Sequence, residues 1–340
     1  MAKILVTGGM GYIGSHTIIE LLKNTNYEVV SVDSCINSSE SALENIRKVT
    51  GKEIRNHKVD LCDKSAVEKV FVSEGQIEGI IHFAALKSVP DSVAQPLHYF
   101  QNNILSQINI LEVSQKCGVK NFIFSSSCSV YGNVEKLPVD EFNPFGVAES
   151  PYAYTKQVGE TMLKDFAKVD PNFQIISLRY FNPVGADESG LNGENPINKP
   201  TALVPFIVKV ASGEYEKLTI FGTDYKTRDG SCIRDYIHVT DLANAHIKAL
   251  EFLQKGENKT NYDVFNIGSG DGVTVLEAIH AFEEHCGQKL NYEMGERRPG
   301  DVEAIYSNSA KAKELLGWTP KLGIKEMMQS AWKWEEQLGK

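Results

Sequence analysis

Lys3-Ile4-Leu5-Val6-Thr7-Gly8-Gly9-Met10-Gly11-Tyr12-Ile13-Gly14 decides the reading of this chain. A short apolar run of strand character passes straight into glycines at 8, 11 and 14, and residues 12–23 then follow a helical apolar pattern. Glycine permits a tight turn, a close approach of backbone to a pyrophosphate, and close packing of helix on strand. The first N–H groups of the helix then point at the phosphates. Asp33 closes the next apolar strand, 19 residues after Gly14. A carboxylate there accepts hydrogen bonds from the adenine-side ribose hydroxyls and repels a 2′-phosphate, which favours NAD over NADP.

Working outward, strand-like runs at 3–6, 28–32, 79–83 and 122–125 alternate with helical patterns at 12–23, 41–49, 64–74 and 97–117. Near-continuous apolar strands alternating with helices predict a doubly wound parallel sheet, an α/β Rossmann architecture, over residues 1–182. After Tyr180 the character changes. Residues 182–200 hold three Gly, three Pro and several Asn, the composition of a long functional loop. Helical patterns at 201–212 and 273–286, with short strands at 218–222 and 264–267, predict a smaller mixed α/β C-terminal substrate domain over 183–340. A helical pattern at 239–253 suggests a return segment near 235–255 that covers the first sheet.

Composition excludes other classes. The chain has 340 residues, 42% hydrophobic and 23% charged, with a formal net charge of −9. That is a globular composition, without the basic footprint a nucleic-acid binder needs. No apolar run approaches the ~18–20 residues that span a bilayer, and the first residues lack the pattern of a secretory signal. The cysteines at 35, 62, 117, 128, 232 and 286 form no C-x-x-C pair. They predict reduced cytoplasmic thiols and no metal site.

Two further stretches carry chemistry. In Ser150-Pro151-Tyr152-Ala153-Tyr154-Thr155-Lys156, Ser150 reads as a helix N-cap and Pro151 as its first turn. Tyr152 and Lys156 then share a helix face, and an ammonium near a phenol favours the phenolate, the form that takes a proton from an alcohol. Tyr154 is off that face. The run Phe122-Ile123-Phe124-Ser125-Ser126-Ser127-Cys128-Ser129-Val130-Tyr131-Gly132 ends a strand in serines at the carboxyl edge of a parallel sheet, where ligands bind. A hydroxyl there, Ser127, can relay a proton or orient a substrate oxygen.

With these marks the chain resembles the extended short-chain dehydrogenase/reductase family. His82-Phe83-Ala84-Ala85-Leu86-Lys87, Asn102-Asn103 and Leu178-Arg179-Tyr180-Phe181-Asn182-Pro183-Val184-Gly185 add to the likeness. Arg297-Arg298-Pro299-Gly300-Asp301 adds to it too, while Asp229-Gly230 and Arg234-Asp235-Tyr236-Ile237-His238-Val239, with Arg179-Tyr180-Phe181-Asn182-Pro183, are closest to its sugar-nucleotide 4-epimerase branch. The resemblance implies tightly held NAD and inversion at C4 of a UDP-hexose, UDP-galactose to UDP-glucose, through a 4-keto sugar. It implies Tyr152, Lys156 and Ser127 as catalytic residues. Gly8, Gly11, Tyr12, Ile13, Gly14, Asp33, Asn37, Asp60, Leu61, Phe83, Ala84, Ala85, Lys87, Asn102 and Phe181, with Tyr152 and Lys156, would hold NAD. Ser127, Tyr152, Asn182, Leu203, Phe221, Arg234, Arg298 and Asp301 would hold the UDP-sugar. Forked guanidinium donors suit a diphosphate. A homodimer through the helices at 97–117 and 151–168 is implied as well, although their own sheet could equally cover them. His238 reads as structural.

Two departures and one rival complete the reading. Thr201-Ala202-Leu203 stands where many members carry Asn-Asn-Leu, and Ile305 where some carry a tyrosine. Together Ala202 and Ile305 leave room for a 2-acetamido group, so UDP-N-acetylglucosamine is an alternative substrate. A 4,6-dehydratase typically carries Thr-Asp-Glu where this chain has Ser127-Cys128-Ser129, two carboxyl groups short of that chemistry.

Overall fold

The computed structural model describes residues 1–298 and 301–338. The strands are β1 (Lys3–Thr7), β2 (Glu28–Val32), β3 (Arg55–His57), β4 (Gly79–His82), β5 (Asn121–Ser125), β6 (Gln174–Tyr180), β7 (Asn182–Val184), β8 (Leu218–Phe221), β9 (Ile233–His238), β10 (Tyr262–Ile267), β11 (Gly272–Thr274), β12 (Tyr292–Gly295) and β13 (Ala304–Ile305). The helices are α1 (Tyr12–Asn24), α2 (Ser41–Thr50), α3 (Lys64–Glu74), α4 (Val89–Ala94), α5 (Pro96–Lys116), α6 (Pro151–Val169), α7 (Leu203–Ala211), α8 (Val239–Gln254), α9 (Val275–Cys286), α10 (Ala310–Leu316) and α11 (Ile324–Leu338).

Seven strands form one parallel sheet in the order β10-β6-β5-β4-β1-β2-β3. Ile4, Leu5, Ile80, Ile81, Phe122, Ile123, Ile175 and Ile176 are fully buried, because helices cover both faces. On one face α1 and α8 pack through Ile18, Leu21, Leu242 and Leu250. On the other, α3, α5 and α6 pack through Val67, Phe71, Ile110 and Leu163. The strand order reverses between β1 and β4, and at such a switch point an open α/β sheet leaves a crevice at its carboxyl edge.

The chain returns to this sheet by more than the helix expected at 239–253. β10, a run that reads from sequence as a short strand of the second half, pairs in parallel with β6 and buries Phe265 and Ile267. Without it the outer edge of β6 would present unpaired backbone groups. β3, Arg-Asn-His, carries no apolar signal. It forms as an edge strand because Val32 in β2 supplies the pairing register for His57.

The remaining elements build two small sheets. One runs β11-β9-β13 with β7 also on β9, and the other pairs β12 with β8. α7, α9 and α11 enclose their core through Ile207, Ile279, Phe282, Met327 and Met328. β7 follows β6 after a single residue and joins β9 at Asn182–Tyr236. The carboxyl end of the large sheet is thus tied to the strand that carries Arg234.

Candidate functional site

The glycine turn is shaped by contacts that admit no side chain. Gly8 has φ +70°, and a Cβ there would lie 2.8 Å from the Ala84 backbone nitrogen. A Cβ on Gly14 would lie 2.2 Å from the Gly8 carbonyl oxygen. The Gly11 N–H donates to that same oxygen at 3.1 Å. α1 starts behind Gly11 with no side-chain cap. Its first donors therefore face a cleft of about 800 Å³ whose wall includes Gly8, Gly11, Tyr12, Ile13 and Gly14.

Asp33 sits at the far side of this turn. Its carboxylate accepts from the Met10 N–H at 3.0 Å, the Cys35 N–H at 2.8 Å and the Ser38 hydroxyl at 2.9 Å. The cleft runs on past Asn37, Asp60 and Leu61, then Phe83, Ala84, Ala85, Lys87 and Asn102, and reaches Tyr152 and Lys156. Of the residues implied for the dinucleotide, Phe181 alone is not on this wall. It is buried with Val130, Tyr131, Val139 and Ile305, and its neighbour Tyr180 faces the cleft instead. The fit to NAD is carried by the glycine cradle, the helix N-terminus and the carboxylate at the end of β2.

At the other end, Ser150 caps α6 by accepting from the Ala153 N–H, and Pro151 opens the first turn. Tyr152 and Lys156 are both buried. Tyr154, off their face, is about half exposed at 51%. The Lys156 Nζ donates to the Ser125 carbonyl at 2.8 Å and lies 5.8 Å from the Tyr152 ring centroid.

Burial raises the Tyr152 phenol above its ordinary value, and the Ser127 hydroxyl acts against it. Burial also pushes Lys156 down to about 8, with Glu160 acting against it. In both groups the leading cause is the loss of hydration on burial, which disfavours the charged form. His82, with its Nδ1 2.7 Å from the Thr7 hydroxyl, is held down to about 3 by burial and Lys156 and stays neutral.

Ser127 caps a single 3₁₀ turn, accepting from the Ser129 N–H at 3.2 Å. Cys128 beside it is pushed up to about 12 by burial and remains a thiol. Positions 128 and 129 thus offer neither of the carboxyl groups that dehydration needs.

Of the residues implied for the UDP-sugar, Asn182 and Arg234 lie on the four-stranded sheet, Phe221 on β8, Leu203 on α7, Arg298 and Asp301 in a loop, and Ser127 and Tyr152 on the serine turn and α6. The Arg234 Nη1 donates at 2.8 Å to the carbonyls of Ile233 and Val302, and its Nη2 lies 3.7 Å from Asp301. Arg298 donates to the same Asp301 oxygen at 2.9 Å and stacks 5.7 Å over Phe221. Asp301 therefore aligns two guanidinium groups. Pro299 and Gly300 of this stretch lie outside the described residues. Arg297 turns away to Asp224 at 2.7 Å. Asn182 opens β7 and Leu203 opens α7. Ile305 pairs with Arg234 and packs with Tyr131 and Val130, beside the serine turn. His238 accepts from the Thr240 N–H as the cap of α8, a structural role.

The loop read from composition at 182–200 reaches the cleft through its second half, although sequence did not show which residues hold it there. Residues 192–202 line the cleft, and Asn192 donates to the Ser15 hydroxyl of α1 at 3.0 Å. Glu194 pairs with Lys87 at 2.9 Å, and its carbonyl accepts from Trp334 Nε1 at 3.0 Å. These partners lie more than a hundred positions away, and no local pattern reveals them.

Comparison with known proteins agrees with this geometry. A family model described as GDP-mannose 4,6 dehydratase matches residues 5–331. A UDP-glucose 4-epimerase of Bacillus subtilis is 47% identical over 332 residues, 98% of this chain and 96% of its own. The crystal structure of UDP-glucose 4-epimerase from Bifidobacterium longum in complex with NAD+ and UDP is 44% identical, with TM-score 0.94 over 99% of this chain and 98% of its own. That of Stenotrophomonas maltophila, with bound NAD and formylated UDP-arabinopyranose, is 40% identical, with TM-score 0.96 over 100% of this chain and 99% of its own. By identity, coverage and fold, the chain belongs to the UDP-glucose 4-epimerase family.

Proposed function

We propose that this protein interconverts UDP-galactose and UDP-glucose by NAD-dependent inversion at C4, with Tyr152, Ser127 and Lys156 at the reacting carbon. One observation carries the reading: the cleft that begins at the glycine turn ends on Tyr152 and Lys156. When bound, NAD supplies the hydride acceptor and donor for C4 and, oxidised, a positive charge that favours the Tyr152 phenolate.

Tyr152 takes the proton of the 4-hydroxyl and later returns it to the same oxygen, once the 4-keto hexose has turned its other face to the site. Ser127 hydrogen-bonds the same oxygen and carries the proton between it and the phenol. Lys156, anchored on Ser125, holds its ammonium beneath the ribose side of the cleft. Gly8, Gly11, Tyr12, Ile13, Gly14 and Asp33 hold the dinucleotide, with Asn37, Asp60, Leu61, Phe83, Ala84, Ala85, Lys87 and Asn102 along its length.

Arg234 and Arg298, aligned by Asp301, bind the UDP diphosphate, and Asn182, Leu203 and Phe221 complete that grip. Inversion requires the nucleotide to be held while the 4-keto hexose turns over, so binding concentrates on the UDP. The test is conversion of UDP-galactose by the purified protein with no NAD added. Absence of UDP-glucose, with NAD present in the protein, would overturn the reading.

The protein is further proposed to be a cytoplasmic homodimer. Leu97, Ile108 and Tyr154 on α5 and α6 are exposed, and Phe100 packs edge-to-face on Tyr154 at 6.0 Å. The six cysteines are unpaired, as a reducing compartment leaves them. No helix among the described residues is long and apolar enough to cross a membrane. Sedimentation of the wild type against a Leu97→Glu/Tyr154→Glu variant tests the dimer, and a monomeric wild type would reject it.

A further inference from the structure

Tyr152 and Lys156 share their helix face with a third group. Glu160 lies one turn further along α6 and is buried. Its carboxylate takes four donors. Arg179 on β6 reaches it from Nε at 2.9 Å and from Nη2 at 2.7 Å. The Ser126 hydroxyl donates at 2.5 Å and Tyr262 of β10 at 3.3 Å. The Arg179 Nη1 donates to the Tyr131 hydroxyl at 3.0 Å, and that hydroxyl donates to Asn266 at 2.6 Å. One ion pair thus joins α6, β6, β10 and the serine turn.

The placement of Ser126 gives the pair its meaning. Its neighbours in sequence are Ser125, whose carbonyl receives the Lys156 ammonium, and Ser127, which acts on Tyr152. Both elements of the proton-transfer group, the helix and the turn, are therefore referenced to one carboxylate. A buried ion pair is weak evidence for stability, since apolar residues fill such space as well or better. Geometry and a fixed charge are what this one supplies.

We propose that Glu160 and Arg179 are positioning residues: through the Ser126 hydroxyl they hold the 125–127 segment at its working distance from Tyr152 and Lys156. The proposal rests on the functional reading above and deepens it. A consequence follows for pH. The groups facing Lys156 are Tyr152 and Glu160 on α6, His82 from β4, which stays neutral, and the Phe124 ring of β5 at 4.9 Å. Glu160 is the carboxylate whose field reaches Lys156 and keeps its proton on.

Two variants separate positioning from mere packing. Ser126→Ala cuts the tether but leaves the ion pair and its charge. It is expected to lower kcat for UDP-galactose by about tenfold, with KM, bound NAD and melting temperature near wild type and the pH profile unmoved. Glu160→Gln combined with Arg179→Met removes both charges. Lys156 then loses its proton at lower pH, and the alkaline limb of the kcat profile moves acid-wise by about one unit. A wild-type limb in the double variant, or a wild-type kcat in Ser126→Ala, would overturn the proposal. If the double variant does not fold, Ser126→Ala decides alone. An inactive wild type sinks the functional reading and this role with it; an active wild type with unaltered variants sinks this role only.

Discussion

Gly14→Ala is the sharpest perturbation the structure offers. The added Cβ would sit 2.2 Å from the Gly8 carbonyl oxygen and 2.8 Å from the Gly9 Cα, all of it backbone. To reach even a tight contact of 3.0–3.4 Å, the turn and α1 must part by about 1 Å. That displacement works against the Gly11 N–H bond to the same oxygen, which closes the turn. Overpacking of this kind costs about 1–3 kcal/mol of stability. The larger effect falls on ligand binding. The α1 N-terminal donors move away from the phosphates, and a hydrogen bond to a charged group contributes about 1.5–3 kcal/mol. Loss of one such bond weakens NAD binding by about 10–100-fold. The assay is NAD content of the purified protein, then titration with NAD after stripping, alongside thermal unfolding. Gly118→Ala is the control: φ is +73° with nothing within 4 Å, so it strains the backbone away from the cleft. Full NAD occupancy and wild-type affinity in Gly14→Ala would refute the reasoning.

Tyr152→Phe keeps the buried ring and removes the hydroxyl. Turnover of UDP-galactose should fall by about 10²–10⁴-fold while bound NAD is retained, as read by kinetics and absorbance. Ile305→Tyr enlarges a buried side chain packed with Tyr131 and Val130. Turnover of UDP-N-acetylglucosamine should fall relative to UDP-glucose, and an unchanged ratio would reject a role for this position in sugar choice. Burial of Glu74 acts to raise its pKa, but hydrogen bonds from His57 and Lys3 outweigh it and hold it below 4.5. Its stabilisation is therefore present above that value and lost as pH falls through the depressed one. Glu74→Gln should lower the melting temperature at pH 7 and shrink the wild-type difference as the solution is acidified.

What the sequence could and could not reveal follows from how far each feature reaches along the chain. The alternating periods announce the parallel sheet because β1, β2, β4 and β5 are largely buried on both faces, and burial writes itself into composition. β3 is invisible for the converse reason: Arg55, Asn56 and His57 face partly outward at an edge, and only the register of β2 makes them a strand. β10 looks like a member of the second half because sequence shows its apolar run and not its partner. The candidate site divides in the same way. The glycine turn and the Tyr152/Lys156 spacing are local, so their residues arrive together on one cleft. Electrostatics are not local. Spacing places Tyr152 and Lys156 on one helix face, but it does not show that both are buried or that the ammonium is anchored on the Ser125 carbonyl. The net charge of −9 follows the same logic. An acidic chain accommodates two pyrophosphates by placement. An uncapped helix end faces one, and Arg234 and Arg298, pinned by a single Asp301, are assigned the other. If overall charge governed binding instead, neutralising distant surface carboxylates would tighten NAD and UDP as strongly as Arg234→Ala loosens UDP. Placement requires the first change to be small and the second to be large.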